Sequence, residues 1–200
     1  MNKLQQTSLR FLGCIALFLT SSSVFAHATD AGLTGGMEAG FLHPLFGLDH
    51  LCAMICVGML SSKMGGKFIL TIPLFFIVSM MIGFVMGENG MIVPMFETWI
   101  ALSVLLFATI LLFVKNINWL WVAFPLFLFG ISHGFAHGVE IGTTLNPREF
   151  QKGFFLASVL IHMVGITFGL APNTKWDFLA KATKGLTAVI GLYGAYLLVV

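Results

Sequence analysis

Six apolar stretches dominate the chain, at residues 41–60, 68–86, 94–114, 120–138, 153–171 and 179–200, and each is close to the ~20 residues a helix needs to cross a bilayer. In hydrocarbon every backbone N–H and C=O must find its partner within the protein, which restricts spanning structures to helices and closed barrels. Continuous apolarity without period-two alternation selects helices. The sequence therefore predicts an all-α membrane protein, a six-transmembrane-helix bundle. Composition agrees, with 58% hydrophobic and 9% charged residues against roughly 25% charged in soluble domains. The 200 residues suffice for one helical bundle without a separate soluble domain.

The beginning of the chain reads as a secretory signal. Lys3 and Arg10 precede an apolar run from Phe11 to Thr20, and small residues surround Val24-Phe25-Ala26 and Ala26-His27-Ala28. That order of charged, apolar and small regions predicts cleavage after Ala26 or Ala28. Residues 1–26 are then a signal peptide and residues 27–200 a single six-helix transmembrane domain. Without Lys3 and Arg10, eight basic side chains face eight acidic ones, and no basic patch remains to bind nucleic acid. Cys14 leaves with the signal, while Cys52 and Cys56 stand one turn apart in an expected helix, so no disulfide framework is indicated.

Short polar or glycine-containing connections separate the stretches: Ser61-Ser62 with Gly65-Gly66, Gly87 to Gly90, Lys115 to Asn118, Asn146-Pro147 and Pro172-Asn173. Their shortness predicts that consecutive helices are antiparallel neighbours. Gly83/Gly87 and Gly165/Gly169 are spaced for close helix approach. With a cleaved signal, both mature termini face the periplasm. Lys63, Lys67, Lys115, Lys175, Lys181 and Lys184 then fall in cytoplasmic loops against Arg148 and Lys152 outside, as the positive-inside rule requires of an inner-membrane protein. Asp30, Glu38, Glu88, Glu97, Glu140 and Glu149 gather at the outer side, where an acidic mouth concentrates cations.

Five of the six histidines lie in or beside the apolar stretches, where polar side chains are costly and mark function. His43 and His50 are seven apart and share a face of the expected first helix, Asp49 adjoins His50, and Pro44 suits a first helical position. In the fourth helix His133, His137 and Glu140 form one stripe at i, i+4 and i+7, with Gly134 and Gly138 beside it leaving room for a helix or an ion. His162 sits near the middle of the fifth helix and suits an inner position. Imidazoles with one or two carboxylates favour borderline divalent ions such as zinc, nickel, cobalt or copper over calcium and magnesium. Met54, one turn after His50, is a soft contact at most, because methionine is a common core filler.

The segment HPLFGLDHLCAMICVG, His43 to Gly58, resembles the HPxxGxDHxxxMxxVG signature of the HupE/UreJ family of nickel and cobalt permeases, and HGFAHGVE, His133 to Glu140, is similar to its HGxAHGxE signature. Both match at every fixed position, and the likeness extends over nearly the whole chain. Ser132 stands where an aromatic residue is more usual. The resemblance implies secondary uptake of nickel or cobalt for hydrogenase or urease maturation. It maps His43, Asp49, His50, His133, His137 and Glu140 onto the signatures' polar positions, with His162 as an auxiliary ligand. The ion is cargo, so no resident cofactor is expected. The expected partners are the bilayer and a divalent transition-metal ion, and a homo-oligomer is compatible with the sequence. No phosphate-binding loop accompanies these motifs, so the chain has no visible ATPase of its own. Two rivals share the residues: an intramembrane zinc-dependent hydrolase using the same His/Asp cluster, and a haem carrier with axial histidines on different helices.

Overall fold

The structure, a computed structural model of the chain, describes residues 36–141, 146–171 and 177–200. The segment read as a signal peptide lies outside the described residues, as do His27, Asp30, Pro172, Asn173 and Lys175. The helices are α1 (Met37–Phe46), α2 (Leu48–Met64), α3 (Phe68–Glu88), α4 (Phe96–Phe113), α5 (Trp119–Glu140), α6 (Pro147–Leu170) and α7 (Asp177–Leu197). Four of them, α3 to α6, are long and apolar enough to cross a membrane, and α1 with α2 makes a fifth if the bent pair is one span. The chain is a multi-pass membrane protein. α7 has 21 residues, about 30 Å of helix, but falls outside that set, with Lys181 and Lys184 near its start.

The first expected span is not one helix. α1 and α2 meet at an angle of 82° across Gly47, whose backbone is extended (φ −77°, ψ 94°). The Gly47 N–H closes α1 by donating to the His43 carbonyl at 3.4 Å, and the Gly47 carbonyl accepts from Leu51 to open α2 at 2.8 Å. Asp49 then sits in the first turn of α2 and accepts from the backbone N–H of His50 at 2.8 Å. A carboxylate there satisfies an otherwise orphaned donor and complements the helix dipole. Pro44, expected as a first helical residue, instead lies inside α1, which starts at Met37.

α6 begins at Pro147, earlier than the apolar stretch at 153, because proline suits a first turn. A Lys152–Glu149 pair at 2.6 Å lies on that added polar turn. Asn118 caps α5 by accepting from the Leu120 N–H at 2.9 Å. At the opposite end of the bundle from Gly47, Lys63 donates to the Leu111 carbonyl at 2.7 Å, placing a cation on the free carbonyls that end α4.

Packing departs from the expected order of neighbours. The most extensive contacts join α3 to α5 and α2 to α6, whereas α3–α4, α5–α6 and α6–α7 make no extensive contact among the described residues. Both dominant pairs run parallel. Gly83 meets Ile131 and Gly87 meets Phe135 across α3 and α5, with Gly134 against Met80 and Gly138 against Phe84 from the other side. A Cβ at Gly134 would run into the Met80 carbonyl. In α2 and α6, Gly58 lies against Gly165 and Gly169 against Met59. The sequence left it open whether Gly134 and Gly138 admit a helix or an ion, and they admit α3. Small residues win because lipid drives no hydrophobic association, so backbone proximity decides which helices pair.

The interior holds Phe76, Phe84, Phe107, Phe154, Met54 and Leu60, each fully buried, while Leu70, Leu120, Trp121 and Phe124 are largely exposed on the outside. An apolar exterior of this kind fits hydrocarbon solvent. Gly134→Leu should destabilise the bundle by about 1–3 kcal/mol or more through overpacking against α3. Gly185→Ala on α7, where an added Cβ meets nothing within 4 Å, should gain about 0.5–1 kcal/mol from helix propensity. Thermal unfolding midpoints of the purified variants in detergent check both, and equal midpoints would show that α3–α5 contact does not depend on the glycine.

Candidate metal site

The break at Gly47 brings α1 back over the end of α5. His43 on α1 reaches Glu140 at the end of α5, with Nε2 to Oε2 at 3.0 Å. The same Glu140 oxygen lies 3.2 Å from Nδ1 of His137. Ligand atoms of His43, His137 and Glu140 all lie within 4.8 Å of one another. With metal–ligand bonds near 2 Å, donors on one ion lie at most ~4 Å apart, so modest side-chain movement would close this set around a cation.

His50 joins from the start of α2. Its Nδ1 is 2.8 Å from Asp49 Oδ1, and its ring centroid lies 4.4 Å from that of His137 and 4.7 Å from that of His133. The His43 and His137 rings are 4.7 Å apart. Four imidazoles from α1, α2 and α5 therefore form a continuous series, His43, His137, His50 and His133. His43 and His50 meet it across the bend at Gly47 and not, as their spacing predicts, from one face of one helix.

Hydrogen bonding determines which nitrogen each neutral ring offers. Nδ1 of His133 is 2.8 Å from the Phe129 carbonyl, and Nδ1 of His162 is 2.7 Å from the Ser158 carbonyl. A carbonyl only accepts, so in both rings Nδ1 carries the proton and Nε2 keeps its lone pair. The carboxylates facing Nδ1 of His50 and His137 impose the same tautomer. Nε2 of His50, His133, His137 and His162 is buried without a hydrogen-bond partner among the described residues. Buried polar atoms are ordinarily paired, and four lone-pair nitrogens left this way form a donor set suited to a borderline transition-metal ion.

A cleft of about 570 Å³ opens onto this cluster. Its walls include His43, His50 and His137, the carboxylates of Asp49, Glu97 and Glu140, and Tyr193 and Tyr196 of α7, with no lysine or arginine among the described residues. Three carboxylates without a balancing base give a potential that attracts cations. The starts of α2 and α4 and the ends of α5 and α7 surround the cleft, so those four helices cross the bundle in alternating directions.

Of the seven residues predicted from sequence, His43, Asp49, His50, His133, His137 and Glu140 come together, while His162 lies apart, against Phe76. Met54 is fully buried in the apolar core, and Cys52 and Cys56 are free thiols. Sequence reasoning left Glu97 as one outer acid among several and missed Tyr193 and Tyr196. The chain's two tyrosines, three apart on one helix, were a signal for them. Phe76, one of 21 phenylalanines, carried none.

Comparison with known proteins agrees with this arrangement of motifs. The family model described as HupE / UreJ protein matches residues 15–197. Over 169 residues the chain is 36% identical to the protein HupE of Rhizobium leguminosarum bv. viciae, an alignment covering 83% of this chain and 87% of that protein. No solved structure matches. The chain belongs to the HupE/UreJ family.

Proposed function

We propose that the chain is a secondary permease that takes up nickel or cobalt ions across the bacterial inner membrane and supplies them to metalloenzyme maturation. The observation that carries this reading is the series of buried imidazoles of His137, His50 and His133, whose Nε2 atoms have no partner among the described residues and of which the first two line an acidic cleft. Membership of a family associated with nickel and cobalt transport for hydrogenase and urease supports it. Geometry and charge support a membrane orientation in which the cleft faces the periplasm. The cleft lies at the carboxylate-rich end, and Lys63, Lys67, Lys115 and Lys184 belong to the ends of α2, α3, α4 and α7 away from it.

In this reading α7 is the sixth span, a cleaved signal peptide precedes the bundle, and both mature termini face the periplasm. A hydrated cation enters the cleft, where Asp49, Glu97 and Glu140 attract it, and exchanges water for imidazole nitrogen. His43 and Glu140 give up their mutual contact to hold it, and Asp49 keeps the His50 ring in the tautomer that presents Nε2. Passage requires binding firm enough to dehydrate the ion and loose enough to release it, so the imidazoles act in succession. Nothing in the cluster favours the hydrolase rival. Asp49 and Glu140 both engage imidazole.

Radioactive nickel or cobalt uptake into proteoliposomes is the direct measurement. His50→Ala, His133→Ala and Asp49→Asn should each lower uptake by about 10–100-fold, the usual effect of removing a group that holds or orients a metal. Undiminished uptake in all three would sink the pathway. Orientation is checked separately in intact spheroplasts with single cysteines placed in a background lacking Cys52 and Cys56. Arg148→Cys should react with a membrane-impermeant maleimide, and Lys115→Cys only after the membrane is opened.

A further inference from the structure

His162 is the buried imidazole that the outer cluster does not use. It is 1% exposed, with Nδ1 on the Ser158 carbonyl and Nε2 unpartnered, so it is prepared in the same way as His133. The ring against it is not another imidazole. Phe76 of α3 lies 5.6 Å from His162 and 5.5 Å from His133, centroid to centroid, and is itself fully buried. The spacing within the cluster is 4.4–4.7 Å from ring to ring. One phenyl group thus packs against both the last imidazole of the outer cluster and His162.

We propose that His162 is a separate inner cation-binding station and that the Phe76 side chain is the gate between it and the outer histidine cluster. This rests on the permease reading and adds to it the order of events. A phenyl ring has no lone pair to replace a bound nitrogen, so a dication held on Nε2 of His133 cannot pass along donors while the ring stands there. The ring must swing to another rotamer for transfer, and its return separates the two stations. The inner station offers a single imidazole nitrogen from the protein. Fewer protein donors hold the ion less tightly, which suits release.

The experiment uses the full-length protein with Co²⁺ alone as probe, by calorimetry in detergent and by uptake into proteoliposomes. Native protein should bind one ion more per chain than His162→Leu, whose outer-site affinity should stay within about twofold of native while uptake falls about tenfold. Leucine leaves no buried nitrogen orphaned, so a merely structural histidine would leave uptake unchanged. Phe76→Trp should retain outer-site binding, which also reports that it folds, and lose uptake. Phe76→Leu should keep or increase uptake. Equal stoichiometry in native protein and His162→Leu with undiminished uptake overturns the inner station and leaves the permease standing. An extra ion bound by native protein, with no uptake, keeps the station and overturns the permease. Equal losses of uptake in Phe76→Leu and Phe76→Trp overturn the gate.

Discussion

Backbone contact between α3 and α5 is the constraint on which the arrangement of this molecule depends. In lipid, helices gain nothing by hiding apolar surface from one another, so they pair where small residues let their backbones touch. α5 carries Gly130, Gly134 and Gly138 on one stripe. The adjoining stripe, about 100° round the helix at 3.6 residues per turn, carries His133 and His137. Seating the glycines on α3 turns the imidazoles toward α2 and α1. The parallel contact of α2 with α6 does the same for His50 and His162 from the other side.

The second constraint is the cost of an unsatisfied polar group in a low-dielectric interior. Helical carbonyls one turn back, at Phe129 and Ser158, take the Nδ1 protons of His133 and His162. Asp49 and Glu140 perform the same service for His50 and His137. What remains is a set of Nε2 lone pairs, expensive to bury and of use to a cation. Among the described residues, the buried side-chain nitrogens left without partners are the ones the proposed function needs.

The bend at Gly47 shows how far sequence patterns reach. Apolarity alone makes 41–60 one span, because hydropathy does not register a single extended glycine within an apolar run. The chain breaks there because glycine leaves the helix at little cost, and Asp49 stabilises a fresh helix start two residues on. The consequence for the site is large, since the 82° bend carries His43 to Glu140. Neighbour order was illegible for a related reason. Loop lengths restrict which ends are close, but matching glycine surfaces, distant in sequence, choose the partners.

From the sequence alone came the membrane class, the helical state, five of the helices to within a few residues at most boundaries, and the six polar residues that converge. Those are consequences of local quantities: apolar length, helical periodicity and the scarcity of polar groups in hydrocarbon. The tertiary structure decided the remainder. It bent the chain by 82° at Gly47, paired α3 with α5 and α2 with α6 in parallel, set Glu97, Tyr193 and Tyr196 around the mouth, and packed Phe76 against both His133 and His162. Each of those is a contact between residues on different helices, and no local pattern encodes which backbone surfaces fit together.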